Sequence, residues 1–138
     1  MSEKITVETS IDAPIEKIWK YWNEPEHIKN WCNASSDWWV PTASNDLQVG
    51  GKFNTRMEAS DGSFGFDFGG VYTIVTPYEE IEYNMSDGRN VSIKFIKVDN
   101  GYKIIESFDP ENQNPPEMQK NGWQSILENF KKYITEQK

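Results

Sequence analysis

Cysteine occurs once in this 138-residue chain, at Cys32, so no intrachain disulfide can form. Histidine also occurs once, at His27, and arginine only at Arg56 and Arg89. One imidazole and one thiol fall short of the ligand set that a zinc ion takes, so no metal is expected. The net charge of −8 and a pI near 4.7 leave no basic patch for nucleic acid or an anionic membrane surface. No apolar run is long enough to span a bilayer, and the N-terminus lacks the apolar stretch of a signal peptide. Together these absences predict a cytoplasmic protein without membrane insertion. P-loop, GxGxxG and GxSxG patterns are missing, and no cofactor is expected.

Aliphatic residues are sparse as well, since the hydrophobic fraction is 36%, but aromatics reach 14% and include 6 Trp. Large rings bury much area each, and the chain is long enough for one domain with a true core. The clearest pattern is the last one, Pro116 to Ile134. At helical period Met118, Trp123, Ile126, Leu127, Phe130 and Ile134 share one stripe, while Glu117, Lys120, Gln124, Glu128 and Lys131 take the other side. Pro115 and Pro116 suit an abrupt helix start, and Lys131, Lys132 and Lys138 suit the negative end of the helix dipole. A stripe of this length requires a concave partner.

The rest of the chain supplies one. Lys4 to Ile11 alternates as a strand, and Asp12-Ala13-Pro14 opens a helix with Ile15, Ile18, Trp19 and Trp22 on its apolar face. Pro25 ends it, and a short second helix runs to Trp31. From Ser36 onward, strand patterns alternate with turn signals: Asp46 to Gly51, Ser60 to Ser63, Pro77-Tyr78, Asp87-Gly88 and Asp99 to Gly101. Gly69-Gly70 predicts a bend or bulge inside the long strand Phe64 to Thr76. The order is strand, two short helices, six strands, long helix, in a single domain over residues 1–138. This predicts an α+β fold in which a curved antiparallel sheet wraps the terminal helix.

Three segments carry a resemblance. Ile11-Asp12-Ala13-Pro14-Ile15-Glu16-Lys17-Ile18-Trp19, Leu47-Gln48-Val49-Gly50-Gly51-Lys52-Phe53 and Gly122-Trp123-Gln124-Ser125-Ile126-Leu127-Glu128-Asn129-Phe130 stand in the order and spacing of one group. The chain resembles the SRPBCC (START/birch-pollen-allergen-like) superfamily, and within it the homologues of the activator of the 90-kDa heat-shock protein ATPase. That resemblance implies a helix-grip fold with an apolar cavity between sheet and helix. It implies shape far more than task, because members bind lipids, hormones or polyketides, dock protein partners, or carry cyclase chemistry.

No constellation of catalytic residues stands out. His27 on a short polar helix reads as a solvated surface histidine rather than a general base, and Cys32 as an idle thiol. Asp67 alternates opposite Phe66 and Phe68, and so belongs on the wet face, paired across strands with Arg56. The residues expected to line the cavity are Trp31, Trp38, Phe53, Met57, Phe64, Phe66, Phe68, Tyr72, Tyr83, Phe95, Phe108, Met118, Trp123 and Leu127. Tyr72 and Tyr83 would offer hydroxyls to a ligand's polar end. The expected function is binding of a small apolar or aromatic ligand, with the short helices and the Ser60 to Ser63 hairpin as its entrance. The rival readings are an interaction or homodimeric domain anchored on Trp38-Trp39, and a cyclase- or hydrolase-like enzyme. The last requires polar groups converging inside the cavity.

Overall fold

The computed structural model describes residues 4–33 and 36–136. Strand β1 (Ile5–Ile11) is followed by helices α1 (Ile15–Asn23) and α2 (Pro25–Trp31). Six further strands come next: β2 (Trp38–Asn45), β3 (Lys52–Ala59), β4 (Gly65–Thr76), β5 (Glu80–Met85), β6 (Asn90–Val98) and β7 (Gly101–Phe108). Helix α3 (Pro116–Glu136) closes the fold. The strands form one sheet in the order β1-β7-β6-β5-β4-β3-β2, and every pairing is antiparallel. The expected element order and helix-grip architecture are those observed.

Period-two alternation turns one face of the sheet inward. Val7, Thr9 and Ile11 on β1 are buried, as are Ile104, Glu106 and Phe108 on β7. Against them α3 buries Leu127, Phe130 and Ile134, the heart of its apolar stripe. Pro25 sits in the first turn of α2, where its missing N–H leaves no bond unmade, and Glu24 serves as both the end of α1 and the cap of α2. This tight corner folds Trp22 back over Trp31, with ring centroids 4.9 Å apart, and both rings meet Phe130 edge-on at 5.0 and 4.8 Å. The Asn129 amide on α3 donates to the Trp31 carbonyl (2.8 Å), locking α2 onto the long helix.

Two expectations change. The β3–β4 register runs unbroken through Gly69 and Gly70, and the irregularity lies between Tyr72 and Ile74 against β5. The glycines serve close approach instead: a Cβ at Gly69 would stand 2.7 Å from the Phe53 carbonyl oxygen, and one at Gly70 2.5 Å from that of Asn84. A second irregularity falls between Trp39 and Thr42, around Pro41, which has no N–H to give the ladder. The last turn of α3 carries no basic residue, because Lys131 and Lys132 lie a turn too early, and Lys138 falls outside the described residues. The cation comes from α1: Lys17 Nζ donates to the Ile134 carbonyl at 3.2 Å.

Candidate functional site

Between sheet and helix lies a cavity of about 310 Å³. Among the residues expected there, Trp31, Phe53, Met57, Phe66, Phe68, Tyr72, Tyr83 and Trp123 do line it. The rings stand mostly edge to face: Phe53 meets Tyr83 at 4.6 Å and 74°, and Phe68 meets Trp123 at 6.1 Å and 79°.

Six expected residues lie elsewhere. Phe95 is buried under Trp19 and Trp22 at the α1 end of the core. Phe108 stacks flat on Trp123 (3.9 Å, 10°) and is fully covered, so it backs the cavity wall without facing it. Leu127 is fully buried in the helix–sheet seam. Met118 is 60% exposed, and its neighbour Gln119 takes the buried place one turn before Trp123. Hydropathy favours methionine there, but the amide is what the site needs: Gln119 Nε2 donates to the carbonyls of Glu111 (3.1 Å) and Asn114 (2.8 Å), and its oxygen accepts from the Glu111 N–H (2.8 Å). Those bonds pin the loop between β7 and α3. Phe64, 62% exposed, packs edge-on against half-buried Trp38 at 6.2 Å and lies 6.1 Å from Phe66, beyond the cavity lining at its exposed rim. The Ser60 to Ser63 turn does not line the cavity; its solvent-exposed wall residues are Ser44, Phe66 and Asn114. Helix α2, through Ile28 and Trp31, does contribute to the wall.

The largest departure from expectation is Glu106. It follows Ile104 and precedes Phe108 on the inward face of β7, between Val7 of β1 and Ile93 of β6 in register. The residue is 7% exposed and lines the cavity. Among the described residues its carboxyl group makes no hydrogen bond or ion pair, and its oxygens open onto the cavity. Burial pushes it up to about 8 from an ordinary value of 4.5. Its proximity, together with burial as the larger cause, pushes the Cys32 thiol up to about 12 and holds the Tyr83 phenol well above its usual range. Cys32 is therefore a buried, protonated thiol on the cavity wall.

The two tyrosines differ. Burial also raises Tyr72, whose hydroxyl donates to Asn45 Oδ1 (2.5 Å), and the Asn45 amide donates to the Asn23 carbonyl (2.7 Å). The Tyr83 hydroxyl has no such bond among the described residues and faces the same cavity as Glu106. Arg89 lines the wall too, but its guanidinium is held by Asp87 at 2.8 Å. A neutral carboxyl group and a free phenol in an aromatic chamber can donate to, or accept from, a ligand's polar atom. The Glu106 carboxyl group can also exchange a proton near neutral pH, whereas the Tyr83 phenol stays protonated.

The other polar candidates sit outside. Asp67 pairs with Arg56 in register across β3 and β4, with Oδ2 3.6 Å from Nη1, as expected. His27 is not freely solvated: it stacks on Tyr21 at 4.0 Å, and its Nδ1 lies 2.7 Å from the Tyr133 hydroxyl. These partners occupy the ring on the outer side of α2, away from the cavity lining.

Residues 12–135 match the family described as Activator of Hsp90 ATPase homolog 1-like protein. A protein from Cytophaga hutchinsonii of known solution structure is 56% identical, with 96% of this chain and 92% of that one covered and a TM-score of 0.85. An AHSA1-like protein from Aeromonas hydrophila is 43% identical over 96% and 92% of the two chains, with a TM-score of 0.90. A protein from Nitrosomonas europaea shares the fold at 19% identity, with 99% and 96% covered and a TM-score of 0.82. Comparison with curated proteins gives no match. No helix among the described residues is long and apolar enough to cross a membrane. By its sequence over nearly its whole length, and by its sheet-and-helix architecture, this chain belongs to the family of Activator of Hsp90 ATPase homolog 1-like proteins.

Proposed function

We propose that this chain is a cytoplasmic binding protein that encloses a small apolar or aromatic molecule between its sheet and α3. The observation carrying this reading is the cavity itself: about 310 Å³, walled by Trp31, Phe53, Phe68, Tyr72, Tyr83 and Trp123. That volume lies at the lower end of the range for small-molecule sites, about 300–1,000 Å³. A chamber of this size forgoes packing contacts, and selection for stability alone would fill it. Native mass spectrometry of protein purified from its own host tests the reading. A small molecule released in stoichiometric amount on denaturation is the expected result; an apo mass under gentle conditions would count against it.

A second reading has its own observation. Phe64, 62% exposed, and Phe66, 39% exposed, stand 6.1 Å apart beside Trp38, 6.2 and 5.7 Å from its ring. Exposed aromatic clusters of this kind serve as anchors for protein partners, and the family description itself refers to activation of a chaperone ATPase. A mass of twice the monomer in the same experiment would move the weight to this surface, as a homodimer contact.

A further inference from the structure

We propose that the cavity selects a ligand carrying a basic nitrogen, an aromatic or alicyclic amine whose ammonium group pairs with the carboxylate of Glu106. The inference rests on the binding reading and narrows it to one chemical class. Its ground is geometric. Glu106 is 7% exposed, faces the cavity, and has no partner among the described residues, although it lies in a row of apolar neighbours, Val7, Ile93 and Ile81. An unpartnered buried carboxyl group is costly, and glutamine or leucine would fill the same position at less cost.

Three ligand polarities can be weighed against that wall. A ligand carboxylate would bring a second acid to Glu106, and the one cation lining the cavity, Arg89, is already held by Asp87. A hydroxyl or carbonyl would satisfy Glu106 in its neutral form with one ordinary hydrogen bond. An ammonium group would convert it to a paired carboxylate and donate a second hydrogen bond to the Tyr83 hydroxyl oxygen, among the rings of Trp31, Phe53 and Trp123 that wall the cavity. The chain's net charge of −8 also raises the local concentration of cations over that of anions.

The pairing has a proton signature. In the empty cavity Glu106 titrates near 8, so below that pH it is mostly neutral. An alkylammonium group, like a lysine side chain with its pKa of about 10, stays charged throughout. Binding then expels the Glu106 proton, and amine affinity rises with pH up to about 8. The titratable groups around Glu106 are Cys32 at the end of α2 and Tyr83 on β5. Tyr72 on β4, Arg89 beside β6 and Glu111 before α3 line the same cavity. The two strands that flank Glu106 present Val7 and Ile93, which do not titrate.

The test uses three probes of one shape: 1-naphthylmethylamine, 1-naphthylmethanol and 1-naphthoic acid, titrated calorimetrically into the full chain in two buffers of different ionisation enthalpy. The amine should bind about tenfold or more tighter than the alcohol at pH 7.5, as expected for a hydrogen bond gaining full charge, and the acid weakest. At pH 6.5 it should release close to one proton, and the alcohol none. In Glu106→Gln, with a far-ultraviolet circular dichroism spectrum matching the parent's, the amine should bind no tighter than the alcohol and release no proton. Equal binding of alcohol and amine, or a preference that survives Glu106→Gln, would overturn the amine assignment and leave the binding reading standing. If none of the three binds, both fall.

Discussion

Glu106 and Cys32 carry the strongest predictions for single residues. Because the folded-state value of Glu106, about 8, lies above the ordinary 4.5, the folded chain keeps a proton that the unfolded chain loses in between. Stability from this group is therefore full below about 4.5, declines by about 1.4 kcal/mol per pH unit through the window, and levels off above about 8. Glu106→Gln removes that slope, so the difference in urea midpoint between variant and parent should grow from pH 5 to pH 8. A constant difference would show that the carboxyl is solvated. Cys32, raised to about 12, should react with iodoacetamide at pH 8 at least about a hundredfold more slowly in the folded chain than in urea. Glu106 was within reach of the sequence: Ile104 and Phe108 alternate with it, and any strand that turns Phe108 inward turns Glu106 inward too. Hydrophobicity alone passed over it. Residue type pointed outward, and only the strand's period pointed in.

Among the elements, α3 was the best determined by its sequence, because six apolar positions at helical spacing leave one face to bury. Its stripe was nonetheless displaced at the start, where Gln119 replaces Met118, since hydropathy does not register an amide that closes a loop by three hydrogen bonds. The two positions should separate cleanly in mutagenesis. Met118→Ala should change stability by no more than about 0.5 kcal/mol, whereas Phe130→Ala, which removes the ring between Trp22 and Trp31, should cost about 3–5 kcal/mol by chemical denaturation. The antiparallel run from β2 to β7 followed from its turn signals, but the place of β1 beside β7 and the irregularities did not. Gly69 and Gly70 read as a bend, yet they stay in register, because what they permit is the nearness of the neighbouring strands' carbonyls. Contact across strands has no local mark in a sequence.

For the molecule as a whole, the long apolar stripe of α3 and the run of strand and turn signals were enough to anticipate a helix wrapped by a sheet. They were not enough to divide wall from core. Phe95 and Phe108 are as aromatic as Phe53 and Phe68, and only their partners, Trp19 and Trp22 for one and Trp123 for the other, remove them from the cavity. The exposed aromatic patch around Phe64 and the charge of −8 oppose each other. At low ionic strength repulsion should keep copies apart; at about 1 M salt the screening length falls to about 3 Å and the patch is free to associate. Light scattering should then show a larger radius for the parent chain than for Phe64→Ser, and equal radii would remove this surface from consideration.

The sheet's first strand has its only partner in the last: Ile5 stands against Phe108, and Lys17 reaches the carbonyl of Ile134. The six later strands can assemble hairpin by hairpin as each turn leaves the ribosome, but β1 cannot. At translation rates of about 5–20 residues per second, it waits several seconds or more for β7, and longer for the helix that covers them both. During that interval Val7 and Ile11 are an uncovered strand on a nascent chain. Within this domain β1 is thus the strand made earliest and the one most dependent on elements made late, and a ribosome stalled before residue 101 would hold a domain whose opening strand has nowhere to go.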